Sequence, residues 1–96
     1  MTIAELVADA VSRLTPAERR VADVVVADPQ GVAFGTVAEL ATRSRTSGPT
    51  VVRFATKLGL QGFADLQAVA QTEIVDALRP ATARIRESNA AIRIAR

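Results

Sequence analysis

The stretch Thr36–Leu60, TVAELATRSRTSGPTVVRFATKLGL, holds two helix-start signals eleven residues apart with a short polar break between them. Thr36 with Glu39 three positions on has the pattern of a capping box, in which hydroxyl and carboxylate each take a backbone N–H of the first turn. Ser47 is the second cap. Gly48 and Pro49 fill the turn behind it, where proline costs little because its missing N–H would have no helical partner. Val37, Leu40 and Ala41 form the inward face of the first helix. Val51, Phe54, Ala55 and Leu58 form that of the second, which Gly59 ends with a left-handed cap. The break is Ser44–Thr46, so the segment reads as a helix-turn-helix.

Such a pair gives the second helix a braced position from which its outer side can enter a DNA major groove. Leu40, Val51 and Phe54 supply the inward anchors, and Ala41 is small where the two axes approach. Ser47, Gly48, Pro49, Thr50, Val52 and Arg53 fall on the other face or at the exposed N-terminal end. The hydroxyls of Ser47 and Thr50 suit phosphates or base edges. Gly48 and Pro49 leave a low tip whose unpaired N–H groups suit a phosphate. Arg53 can fork onto a guanine edge or clamp a phosphate. Lys57, one turn on, reads as a phosphate contact. Arg43 and Arg45 flank the turn and suit the DNA backbone. Thr36, at the start of the first helix, joins the DNA-facing set.

Outward from this segment the helical signals continue. Ile3, Leu6, Val7, Ala10 and Leu14 follow 3-and-4 spacing. Thr15-Pro16-Ala17-Glu18 is a second capping box, opening a helix with Val21, Val24 and Val25 on one face. Asp28-Pro29 breaks it, and a single turn through Val32–Phe34 comes next. Phe63, Leu66, Ala70, Ile74 and Leu78 mark a longer helix. Beyond Pro80, Ala81, Ile85, Ser88, Ile92 and Ala95 keep a 3,4 spacing that suits a short seam between two chains or a helix without its partner domain. The expected fold is all-α: a compact bundle of about five helices over residues 1–78, and a basic helical linker over 79–96.

With 96 residues the chain makes one small domain. Three phenylalanines, Phe34, Phe54 and Phe63, are the only aromatics for the core. There is no cysteine and no histidine, which removes disulfides, thiolate metal sites and the usual general base. No cofactor is called for. Net charge is only +2, but it is unevenly placed. Arg43, Arg45, Arg53 and Lys57 face one acid, Glu39, within residues 36–62, and five arginines face Glu87 in the tail. Both segments suit a polyanion. The N-terminus lacks the basic start and apolar run of a signal peptide, and no segment has the length to span a bilayer. These features suit a soluble, cytoplasmic protein.

With its flanks, Leu14–Gln67 (LTPAERRVADVVVADPQGVAFGTVAELATRSRTSGPTVVRFATKLGLQGFADLQ) resembles the N-terminal domain of the RpiR family of bacterial transcription regulators. LTPAERRVAD, VAF with TVAELA behind it, TVVRFATKLGL and GFADL carry the likeness by their order and spacing. The resemblance implies a helical, winged-helix-like or extended helix-turn-helix domain that binds operator DNA as a homodimer. It also implies a following sugar-isomerase-type domain that senses a phosphosugar. The family's recognition helix falls on Ser47–Leu58, with TVVRF at Thr50–Phe54 the best-matched piece. At the turn this chain has Arg45-Thr46-Ser47 where the family usually has Gly-Val-Ser. A left-handed Arg45 costs about 1 kcal/mol, Thr46 replaces an apolar plug, and Pro49 replaces a plain helix former. The chain stops at Arg96, where a sensor domain would begin, so the tail reads as a linker cut in mid-helix.

The function expected is sequence-specific DNA binding by a regulator of sugar or phosphosugar metabolism genes. The alternative is a helical protein-interaction or dimerisation module without specific DNA binding, which would expose an apolar strip and show no salt-dependent DNA binding. An enzyme is the third class. Glu18, Asp23, Glu39 and Asp65 are its candidate acids, but Glu18 and Glu39 already serve as caps.

Overall fold

The computed structural model describes residues 1–78. They form six α-helices and no strand: α1 Ile3–Ala10, α2 Pro16–Ala27, α3 Pro29–Ala33, α4 Val37–Ser44, α5 Gly48–Lys57 and α6 Phe63–Leu78. A single 3₁₀ turn, Val11–Arg13, succeeds α1. The fold is all-α, as the sequence predicts. The C-terminal segment, the 79–96 linker and its 3,4 seam lie outside the described residues.

Each start is explained locally. Thr2 accepts the Glu5 N–H at the head of α1. Thr15 and Glu18 close a full capping box on α2, with the Thr15 hydroxyl taking the Glu18 N–H and Glu18 Oε1 taking the Thr15 N–H. Asp28 ends α2 and caps α3 through the Gly31 N–H. Two readings change here. The turn expected at Val32–Phe34 is a five-residue helix that starts at Pro29, because Asp28 and Pro29 form a cap and first position as well as a stop. At α4 only half of the box forms. Thr36 takes the Glu39 N–H, but the Glu39 carboxylate meets the Thr36 hydroxyl at 3.2 Å instead of its backbone.

Sixteen apolar side chains form one core, with Phe54, Val51, Val21, Val25, Val32 and Leu66 fully enclosed. Helices α2 and α6 flank the α4–α5 pair, and α3 lies on α6. Side chains from α6 secure the loop after α3. Gln67 donates to the carbonyls of Val32 and Gly35, and Gln71 to that of Ala33, closing carbonyls the short helix leaves open. A Cβ at Gly35 would sit 2.2 Å from the Gly31 carbonyl oxygen, so only glycine allows this close approach. Glu73 takes the Ile3 N–H at 2.6 Å, tying α1 to α6. Of the three phenylalanines only Phe54 is enclosed. Phe34, at the C-terminal end of α3, is 75% exposed and lies outside the core expected to hold it.

Candidate nucleic-acid interface

The turn between α4 and α5 is built from four backbone and side-chain features. Arg45 adopts φ 57°, ψ 46°, the left-handed region. Its N–H bonds to Thr42 O and that of Thr46 to Ala41 O, at 3.2 and 2.8 Å, the paired bonds of a Schellman ending. The same pair recurs at the end of α5, where Gly59, φ 88°, takes the left-handed position and Leu60 bonds back to Ala55. The buried Ser44 hydroxyl donates to Leu40 O at 2.7 Å and meets the Thr46 hydroxyl at 2.8 Å. Thr46 thus fills the apolar plug's place by joining a hydroxyl pair.

Arg20, which the sequence reading missed, crosses from α2 and donates to the carbonyls of Ser44 and Arg45 at 3.3 and 3.2 Å. It covers the C-terminal end of α4, where a cation is favoured. No local signal could have found it, because its partners lie 24 and 25 residues away.

On α5 the inward side is closed as expected: Val51, Phe54 and Ala55 are fully buried and Leu58 nearly so. Ser47, Pro49, Val52, Arg53 and Thr56 are exposed, and Gly48 is half-buried. Pro49, Val52, Arg53 and Thr56 form one stripe at helical spacing, so Thr56 belongs to the outer face although the sequence reading passed it over. Val52, 41% exposed, offers an apolar contact suited to a thymine methyl.

Four predicted contacts sit otherwise than expected. Thr50 is 7% exposed, so its side chain does not face outward. Its hydroxyl lies 3.0 Å from Ser47 Oγ and accepts from Arg53 Nη2 at 3.2 Å. Lys57 turns toward α2: its ammonium lies 2.6 Å from Glu18 and 3.0 Å from Arg13 O, with the side chain 34% exposed. Arg43 pairs with Asp28 at 2.8 Å, across Gly31 of α3, in an ion pair that stays exposed. Thr36 is exposed, but its hydroxyl is engaged with Glu39 as acceptor and donor. Arg45 and Arg53, by contrast, have no carboxylate partner among the described residues.

Glu18 is the buried acid behind this face, 2% exposed. Burial pushes its carboxyl pKa up. The Lys57 hydrogen bond, the Thr15 backbone N–H and the Lys57 charge outweigh that and hold it below its ordinary 4.5.

The family model described as "Helix-turn-helix domain, rpiR family" matches residues 1–76. The chain belongs to the rpiR helix-turn-helix family. As a member it is a DNA-binding domain of the transcription-regulator class. The chain is 43% identical over 54 residues to the "Bifunctional protein glk" of Paraburkholderia xenovorans, covering 56% of this chain and 8% of that protein. It is 38% identical over 55 residues to the "Uncharacterized HTH-type transcriptional regulator YbbH" of Bacillus subtilis, covering 57% and 19%. It is 31% identical over 67 residues to the "HTH-type transcriptional regulator HexR" of Escherichia coli, covering 70% and 23%. The chain thus spans less than a quarter of each of these relatives. The glk likeness concerns a small part of that bifunctional protein. Among the described residues there is no metal-binding cluster of acids, and no helix is long and apolar enough to cross a membrane.

Proposed function

We propose that α5 of this rpiR-family domain enters the major groove of operator DNA and reads its sequence. One observation carries the reading. The helix is locked by a fully buried inner side, while its outer side presents Ser47, Pro49, Val52 and Arg53, with Arg53 free of any carboxylate among the described residues. Arg53 reads a base pair. Arg45, at the tip of the turn, contacts the phosphate backbone, and the N-terminal turn of α4 at Thr36 approaches it. The DNA role goes with a cytoplasmic protein.

The names of the two regulators support a role in transcription control. Sugar or phosphosugar genes are the targets we infer, with the effector sensed by a domain beyond residue 96. Residues 1–78 form the DNA-binding unit and 79–96 lead toward that sensor. Residues 1–96 take no part in catalysis. The domain acts as a homodimer. An apolar groove of about 440 Å³ between α1 and α2, lined by Val7, Val11, Ala22 and Val26, supports a contact through the first helix.

Fluorescence anisotropy against the DNA upstream of the protein's own gene, with random DNA as control and at two salt concentrations, tests the reading. Arg53→Ala should weaken binding to the specific duplex by about 1–3 kcal/mol and leave random DNA much less affected. Equal weakening on both duplexes would make Arg53 a phosphate clamp. Equal wild-type affinity for both would make the domain a nonspecific DNA binder, and no binding to either would leave only the interaction-module reading.

A further inference from the structure

We propose that Thr50 is a positioning residue for base reading: its buried hydroxyl fixes the Arg53 guanidinium and, through Ser47, aims a second donor at the DNA. This deepens the groove-reading role of α5 and rests on it. Thr50 itself, 7% exposed, is too enclosed to touch a base. Its oxygen lies 3.2 Å from Arg53 Nη2 and 3.0 Å from Ser47 Oγ. Ser47 Oγ also accepts the Thr50 N–H at 3.3 Å.

The direction of this chain is set by donor chemistry. A guanidinium has no acceptor, so Arg53 donates to Thr50. The Thr50 hydrogen then needs an acceptor of its own, and no buried side-chain polar atom is without a partner among the described residues. Ser47 Oγ is the oxygen within reach. Thr50 therefore donates to Ser47, which already accepts a backbone N–H and keeps its own O–H to point outward from an exposed residue. The relay runs Arg53 to Thr50 to Ser47, each bond polarising the next. Its two ends are the two donors on the DNA side.

Holding one guanidinium N–H fixes the plane of the fork, and the other N–H groups stay available for a guanine edge. A long side chain ordered before binding loses less freedom on the complex, which raises affinity for the matching site over others. The sequence pattern Ser-x-x-Thr-x-x-Arg, at positions 47, 50 and 53, places all three one turn apart.

The test uses the 96-residue chain. Selection from a pool of randomised duplexes supplies a preferred site, and anisotropy then compares that duplex with a shuffled one. Thr50→Val should lower affinity for the selected duplex about tenfold, with binding to the shuffled duplex changed less than about twofold. Thr50→Ser, which keeps the hydroxyl, should restore the selectivity. In an Arg53→Ala background Thr50→Val should add nothing further. Without DNA, the Arg53 side-chain NMR signals should be those of an ordered guanidinium in the wild type and in Thr50→Ser, and averaged in Thr50→Val. That measurement decides the positioning role even where the melting temperature of Thr50→Val is lowered. Wild-type selectivity in a folded Thr50→Val, an additive loss on top of Arg53→Ala, or an averaged Arg53 in the wild type would each overturn the proposal while leaving groove reading intact. Failure of the wild type to enrich any duplex would overturn groove reading and this role with it.

Discussion

Arg45 holds a conformation that costs a side-chain-bearing residue about 1 kcal/mol, and glycine nothing. The Schellman bonds and the Arg20 bridge stabilise the turn enough to keep it there. Arg45→Gly should therefore stabilise the free domain by up to about 1 kcal/mol, less the greater freedom glycine gains when unfolded. Thermal denaturation measures this. A lower melting temperature would mean that the Arg45 side chain stabilises the fold by more than its backbone strain costs. The same variant should bind DNA less tightly, since it removes an exposed cation at the tip of the turn. Glu18 and Lys57 make the opposite case, a charge pair that supports folding. Glu18 titrates below its ordinary value, so its contribution is fully present above the unfolded value of 4.5 and is lost as pH falls through the lower folded value. Lys57→Met removes the main causes of that lowering and leaves burial, which pushes the pKa up. Stability should fall by roughly 1–3 kcal/mol near neutral pH, with Glu18 still bonded to Thr15 and Lys57 itself one-third exposed. The acid-induced loss of stability should also shrink, because raising the folded value of Glu18 closes its gap to the unfolded one. Urea denaturation midpoints from about pH 7 to about pH 3 check both. An unchanged pH profile would reject the pair as the acid-sensitive contact. Because the Lys57 charge is paired with Glu18, the salt dependence of DNA binding should keep its slope in this variant.

At the scale of helices, the recognition element is held by its own inner stripe. Phe54 is fully enclosed where α5 meets its neighbours, so Phe54→Ala should cost about 3–5 kcal/mol. A melt that matches wild type would show the cavity collapsing without loss. This stripe was legible in the sequence because it obeys a 3.6-residue period, as were the caps at Thr15, Thr36 and Ser47, which bond within three residues. The early start of α3 was harder to read. Asp-Pro reads as a stop for the helix before it, and the same pair caps the helix after it. The exposure of Phe34 was not readable at all. Period alone does not say whether a residue at the end of a five-residue helix meets a neighbour, and here the helix is held to α6 by Gln67 and Gln71 through its carbonyls.

For the whole molecule, net charge says little and placement says more. Of the four basic residues in 36–62, the structure pairs Arg43 with Asp28 and Lys57 with Glu18, which leaves Arg45 and Arg53 to face a polyanion. If the α1–α2 groove is the contact between copies, Val11→Asp should shift sedimentation from dimer to monomer and weaken operator binding, with helicity unchanged. A dimer that survives the change would move the contact elsewhere.

The order of helices, the starts of all but α3, and the helix-turn-helix itself were determined by the sequence alone, because each depends on contacts three or four residues apart and on the period of the apolar stripe. Tertiary structure decided which charges remain available. Glu18 meets Lys57 across 39 residues, Arg20 reaches the turn across 24, and Thr50 is enclosed by packing around α5. Such pairings form only when folding brings distant helices together, and no spacing along the chain encodes which cation will meet which acid.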